Sequence, residues 1–463
     1  MDNAVLRHRT TVEETRRALP DPARRGLSRR HFLAGTSLAG TSLAGMGLAG
    51  MGATGSAALL AGCATSASSG PVTQSAGAIT IQSNLSAPQA KASIEALAKG
   101  FSGQHGSPAT VNTIASETFR TQLPSYLTSN QPPDLYTWYP GSLLRGYARK
   151  GLLLDVDEAW QTMGNYPAAF RTLSGDGAGK LIFVPTSYYW WGFFYRKSNF
   201  AKWGVTAPTS WSGLLELCRT LQAKGVAPIG LGAGGNTPWV ASSWFDYLNI
   251  RINGAPYHRE LLAGQSRFDD PRVAKVFDQW RTALPYFDPQ GTALTFQEAT
   301  TSLLQGRTGM MLIGTFFADA APKDTIPDLD FFQFPVLDAS VPLAEEGPTD
   351  GFFASSRTAH RADVLAWMKY AATAPAQELY IQNSSGTVLP TNPGARDSGT
   401  PLVTKGRTML AEAKEITQFF NRDSSDALQP TADAALVRYI QKPTELSSIL
   451  TDWQAAAEKV FAS

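Results

Sequence analysis

Between Ile79 and Trp138 the chain changes its hydrophobic period four times, and that alternation limits the folds open to it. Ile79–Gln82 alternates like a strand, Ala90–Phe101 sets Ile94, Leu97, Ala98 and Phe101 at helical spacing, and Thr110–Ile114 alternates again. Phe119–Leu127 then reads as a helix and Asp134–Trp138 as a third strand. A strand–helix–strand–helix–strand opening predicts an α/β sheet with crossover helices, whose working rim is formed by loops at the carboxyl ends of the strands.

Further along, Gly179–Arg196 reads as two extended segments broken at Pro185. The pattern beyond is mostly helical: Trp211–Lys224, Trp239–Ile252, Asp270–Leu284 and Thr295–Gln305. Short strands are predicted at Ile229–Leu231, Met310–Ile313 and Leu329–Phe334, and the tail after Leu402 reads as helical to its end.

Upstream, Ser28-Arg29-Arg30-His31-Phe32-Leu33 resembles a twin-arginine export signal, with Ala34 where such signals often carry lysine. Leu60-Ala61-Gly62-Cys63 resembles a lipobox. The run between them is weakly apolar, with the five-residue rhythm Gly35–Ala39 and Gly40–Ala44. The expectation is a leader over 1–63, a lipid on Cys63, and a flexible Ser-, Ala-, Gly-, Thr- and Pro-containing tether over 64–77. A transmembrane anchor is the competing reading, since the run exceeds the roughly 20 residues a span needs, but its glycines suit a bilayer poorly. A chain exported this way works outside the cytoplasm, lipid-anchored to the outer face of the cell membrane, where most ATP- or NAD-driven chemistry is excluded.

Of 40 Lys and Arg and 38 Asp and Glu, eight and four precede Cys63, leaving 32 basic against 34 acidic side chains. That balance, without a basic cluster, argues against a nucleic-acid partner. Cys218 is left alone and shares a helical face with Leu214, Leu217 and Leu221, which predicts a buried, inert thiol. The five histidines are scattered and show no metal-ligand spacing. Aromatic residues crowd instead into polar, turn-rich segments: Trp138-Tyr139, Tyr188-Tyr189-Trp190-Trp191, Trp239 and Trp244. Aromatics placed so often line a binding surface.

Several motifs in order resemble the family 1 extracellular solute-binding proteins of ABC importers. They begin with Pro133-Asp134-Leu135-Tyr136-Thr137-Trp138 and Gly151-Leu152-Leu153-Leu154-Asp155. Gly179-Lys180-Leu181-Ile182-Phe183-Val184-Pro185 follows, then Phe193-Phe194-Tyr195-Arg196-Lys197, with Arg196 where the family has Asn. Gly306-Arg307-Thr308-Gly309-Met310-Met311 leads to Gly314-Thr315-Phe316, with Phe316 replacing Trp, and Asp350-Gly351-Phe352 through Ser355-Ser356 and Gly386…Leu389-Pro390 complete the set. Pro208–Leu217 departs from the family pattern, keeping only Trp211. The likeness covers residues 78–463.

The resemblance implies a two-lobed periplasmic-binding-protein fold of α/β class, with a hinge of crossing strands and an interlobe cleft. It assigns 78–187 and 357–395 to an N-terminal lobe, and 188–356 and 396–463 to a C-terminal lobe. The chain is expected to cross near Thr186–Tyr188, near Phe353–Ser356 and again near 392–400. The implied function is the extracytoplasmic substrate-binding component of an ABC importer, a monomer that captures a carbohydrate and delivers it to a permease coupled to an ATPase. No catalysis, metal or cofactor is expected.

A sugar presents apolar C–H faces and a belt of hydroxyls, so its site needs aromatic plates and planar polar groups. By family position the plates are Trp138, Tyr189, Trp239 and Phe316, with Tyr188 beside Tyr189 and pointing the other way in a strand. Trp138 also fits a core role. Thr315 and Gly351 adjoin these positions. Polar candidates are Asn84 at the end of the first strand, Glu117 after the second, Asp350 at the hinge, and Arg422 with Asp423 in the loop after Phe419-Phe420; Glu117 and Asp350 also fit solvated surface charges. Two rivals are a secreted carbohydrate-active enzyme and the same fold holding a non-sugar solute such as a polyamine or iron. The first lacks a framed carboxylate pair, and Tyr188-Tyr189 lacks the His or carboxylates that iron requires.

Overall fold

Ile79 and Ile81 are buried on the first strand together with every residue between them, as a strand enclosed by helices on both faces requires. The computed structural model describes residues 78–462; the leader, Cys63 and the 64–77 tether lie outside the described residues. Twelve strands are described: β1 (Ile79–Ser83), β2 (Ala109–Thr113), β3 (Leu135–Trp138), β4 (Val184–Tyr188), β5 (Trp191–Arg196), β6 (Ala227–Gly230), β7 (Thr308–Gly314), β8 (Leu329–Phe332), β9 (Ala344–Glu346), β10 (Thr349–Ala354), β11 (Leu389–Pro390) and β12 (Glu415–Thr417).

They form a six-stranded sheet in the order β11-β4-β10-β3-β1-β2, a four-stranded sheet β6-β7-β5-β8, and a β12-β9 pair. β2, β1 and β3 are parallel, joined by the helices Pro88–His105 and Ser116–Thr128. Ile94, Leu97, Ala98 and Phe101 of the first helix are buried, as their spacing predicts, and Phe119, Leu123 and Leu127 are the buried stripe of the second. The architecture is two-lobed, one lobe built on each of the two larger sheets.

Two departures from expectation have physical causes. Pro185 does not break the extended run: it sits inside β4, opposite Gly351, where the β4–β10 register shifts between Asp350 and Gly351. A bulge tolerates the missing proline N–H, and a Cβ on Gly351 would collide with the Val184 carbonyl. The second passage between the sheets was expected near Phe353–Ser356. Instead β10 pairs through Phe352, Phe353 and Ala354 with β3 of the six-stranded sheet, so the chain changes sheets at Gly347-Pro348.

The other passages fall at Tyr189-Trp190, between β4 and β5, and at 391–400, between β11 and the helix Pro401–Glu412. The tail is helical except for β12, whose three residues pair in parallel with β9. Trp239–Ile252 opens with a 3-10 turn, Pro238–Ala241, before the helix Ser242–Ile252. Cys218 is fully buried among Leu214, Leu217 and Leu221, and burial pushes its thiol pKa up to about 12.

Candidate functional site

The space between the sheets is organised around Arg422, in the short helix Phe420–Asp423. Its guanidinium donates to the Thr349 carbonyl at 2.7 Å, to Asp350 Oδ1 at 2.9 Å and to the Tyr189 hydroxyl at 2.8 Å. It also lies 4.3 Å from the ring centre of Tyr139. Asp350 lies in β10 of the six-stranded sheet, so this ion pair ties that sheet to the helix Phe420–Asp423. Asp350 keeps 35% of its side chain exposed. Burial raises its pKa, and Arg422 opposes the rise.

An aromatic wall runs from Tyr189. Its ring meets Phe316 edge-on at 5.6 Å, Phe316 packs against Trp239 at 6.2 Å and Phe296 at 5.8 Å, and Trp239 meets Phe419 at 6.0 Å. Local sequence sets these positions. Pro238 begins the turn that carries Trp239, where its fixed φ and absent N–H cost nothing. A capping box of Thr295 and Glu298 starts the helix that carries Phe296. On the facing lobe, Trp138 stacks on Phe119 at 4.8 Å and on Tyr139 at 4.5 Å.

Six predicted residues thus join one contact network: Trp138, Tyr189, Trp239, Phe316, Asp350 and Arg422. Trp138 is only 5% exposed and packs in a buried cluster, in keeping with the core role its sequence position also fits, and its Nε1 has no hydrogen-bond partner. Thr315 is buried beside Phe316 with its Oγ1 likewise unpartnered. Tyr188 leaves the network, tilting against Phe170 at 5.4 Å. Gly351 serves the close approach of β10 to β4. Asn84 stays on the rim, its Oδ1 accepting from Thr137 Oγ1 at 2.7 Å. Glu117 is half-buried at the start of its helix, and burial raises its pKa. Asp423 faces Arg145 and Arg259; burial pushes it up to about 6 against their pull.

Sequence reasoning missed the groups that close the space. Arg120, on the helix Ser116–Thr128, bonds Asp426 and Gln429 near the start of the helix Gln429–Gln441. Ser142 Oγ donates to the Ser424 carbonyl, and Gln89 Nε2 donates to the Ala321 carbonyl at 2.8 Å. Gly141 has φ 127, and a Cβ there would strike the Arg422 carbonyl, so only glycine permits this approach. Beside these contacts lies a groove of about 810 Å³ between Arg120, Thr121 and Pro124 on one side and Gly234, Pro238 and Asp433 on the other. Tyr139 had a visible signal in its neighbour Trp138; Arg120 had none, because its partners lie 306 and 309 residues away in the sequence.

The family described as bacterial extracellular solute-binding protein matches residues 86–378. An uncharacterized ABC transporter extracellular-binding protein of Pyrococcus horikoshii is 22% identical over 333 residues, 67% of this chain and 72% of that protein. The alpha-glucosides-binding periplasmic protein AglE of Rhizobium meliloti is 27% identical over 256 residues, 50% of this chain and 55% of that one. Among solved structures, the bacterial solute receptor AcbH superposes with a TM-score of 0.79 at 29% identity, covering 83% of this chain and 99% of its own; it is described as exclusively preferring β-D-galactopyranose.

Proposed function

We propose that this chain, which belongs to the bacterial extracellular solute-binding proteins and is a solute-binding protein of an ABC transporter, captures a carbohydrate between its lobes and releases it chemically unchanged. The observation that carries this reading is the Tyr189–Phe316–Trp239 wall joined to the Arg422–Asp350 pair through the Tyr189 hydroxyl. A wall of rings buries the apolar faces of a pyranose, and a planar guanidinium–carboxylate pair offers both donors and acceptors to its hydroxyls. The unpartnered Trp138 Nε1 and Thr315 Oγ1 are further groups that a polar guest would satisfy. The sugar preferences of AcbH and AglE support the same ligand class. The adjoining groove falls within the roughly 300–1,000 Å³ usual for small-molecule sites, which accommodates more than one sugar ring.

In this reading 78–188 and 349–390 make one lobe, 191–346 and 401–462 the other, and closure buries the guest while presenting a new surface to the permease. The chain works as a non-catalytic monomer. It reaches its extracytoplasmic station by twin-arginine export and stays there by a lipid on Cys63. A thermal-shift screen over mono-, di- and oligosaccharides tests the ligand class. A true ligand at about a hundred times its Kd adds roughly 2.7 kcal/mol of stability, whereas a flat response to every saccharide refutes the sugar assignment.

A further inference from the structure

Asp246, His258 and Glu346 have no exposed surface at all, yet none of the three is paid back with a full set of partners. They come from three elements: the helix Ser242–Ile252, the helix Gly254–Leu262 and the end of β9. Asp246 Oδ1, His258 Nε2 and Glu346 Oε2 each lack a hydrogen-bond partner. One ligand atom from each residue lies within 4.8 Å of the other two, and His258 Nε2 is 3.8 Å from Asp246 Oδ1.

We propose that these three atoms bind one divalent transition-metal ion of the zinc class. Each ligand is oriented from behind, as metal ligands characteristically are. Asp246 Oδ2 accepts from the Phe420 N–H at 2.9 Å, and Glu346 Oε1 accepts from Thr417 Oγ1 at 2.9 Å. His258 Nδ1 lies 2.8 Å from the Asn249 amide. The amide nitrogen faces the ring, and the Asn249 Oδ1 accepts from Asn253 Nδ2 at 2.8 Å; zinc binding turns that amide, so that Nδ1–H donates to its oxygen and Nε2 offers its lone pair. One imidazole and two carboxylates suit zinc better than calcium or magnesium, which favour all-oxygen sets. Bonds of about 2.1 Å place tetrahedral ligands roughly 3.4 Å apart, so the observed spacing needs only small side-chain rotations.

Neighbouring charge makes the case stronger. Glu345, the preceding residue, points to the other side of β9 and is answered by Arg251, Gln333 and Tyr247. Among the described residues no lysine or arginine forms an ion pair with Asp246 or Glu346; Asp423 adds further negative charge, and Arg422 is the cation whose field reaches Glu346. Two buried carboxylates with so little compensation call for a bound cation or bound protons. An ion here would fasten Phe420 and Thr417, and through them the short helix that carries Arg422.

The test uses the chain made without a polyhistidine tag, equilibrated with Zn²⁺, gel-filtered and analysed for metal, with its melting temperature read before and after a chelator. About one zinc per chain is expected, with a melting temperature that falls on chelation and recovers when Zn²⁺ returns. Glu346→Gln and His258→Gln should each lose the metal and the chelator response. Zinc-free wild-type protein with an unchanged melting temperature would mean a shared proton or a buried water and overturn the proposal, as would zinc retained by both variants.

Discussion

Arg422 and Asp350 stand 2.9 Å apart although 72 residues separate them, and in the proposed division each comes from a different lobe. The pair therefore exists only when the lobes are together. It couples the state of the hinge to the polar groups offered to a solute, because the same guanidinium also holds the Tyr189 hydroxyl. Releasing Arg422 would free Asp350 and Tyr189 together.

Arg422→Ala should accordingly cost more affinity than the loss of one hydrogen bond, because it leaves the half-buried Asp350 carboxylate unpaired and frees the Tyr189 hydroxyl. We expect at least a hundredfold weaker binding of the best saccharide by titration calorimetry, about 2.7 kcal/mol. Asp350→Asn, which keeps the shape, should cost less.

Trp239→Ala and Phe316→Ala each remove one plate from the wall. Each should weaken binding about tenfold or more, near 1.4 kcal/mol, with an unchanged far-ultraviolet dichroism spectrum. Tyr188→Ala, whose ring leans on Phe170 outside the network, serves as the control and should bind normally.

The Arg120 bonds to Asp426 and Gln429 bridge the lobes at partly exposed positions. Their removal in Arg120→Ala should shift the closed form only modestly, on the order of 0.5–1 kcal/mol. Small-angle scattering should report a larger mean radius of gyration without ligand, converging on the wild-type value at saturation.

Asp433 gives a pH signature. Burial pushes its carboxyl up to about 7, with Arg120 opposing, against about 3.9 in an unfolded chain. The native state then holds a proton that the unfolded state has lost, so stability falls as pH rises from about 4 to about 7. Urea unfolding at pH 5 and pH 8 should show Asp433→Asn losing that fall, a difference on the order of 1–4 kcal/mol.

Much of the fold could be read from periodicity, because buried stripes such as Ile94-Leu97-Ala98-Phe101 repeat locally. What escaped depended on distant partners. β12 is three residues long and gains its identity only from β9, and the placement of β10 is decided by β3 rather than by its own pattern. Aromatic clustering and family position led to Tyr189, Trp239 and Phe316, since turn-rich aromatics leave a local trace. Tyr188 shares that trace but diverges through strand alternation. Asp246, His258 and Glu346 left none: the histidine lies 12 residues from one carboxylate and 88 from the other in the sequence, and only the packing of two helices on β9 brings them together.

Titration calorimetry of the chain against a panel running from β-D-galactopyranose to longer oligosaccharides tests the central claim most directly. We predict one saturable site for at least one saccharide, lost in Arg422→Ala, with the sugar recovered intact by mass spectrometry. Heat-silent titrations across the panel, or recovery of a cleaved sugar, would contradict it.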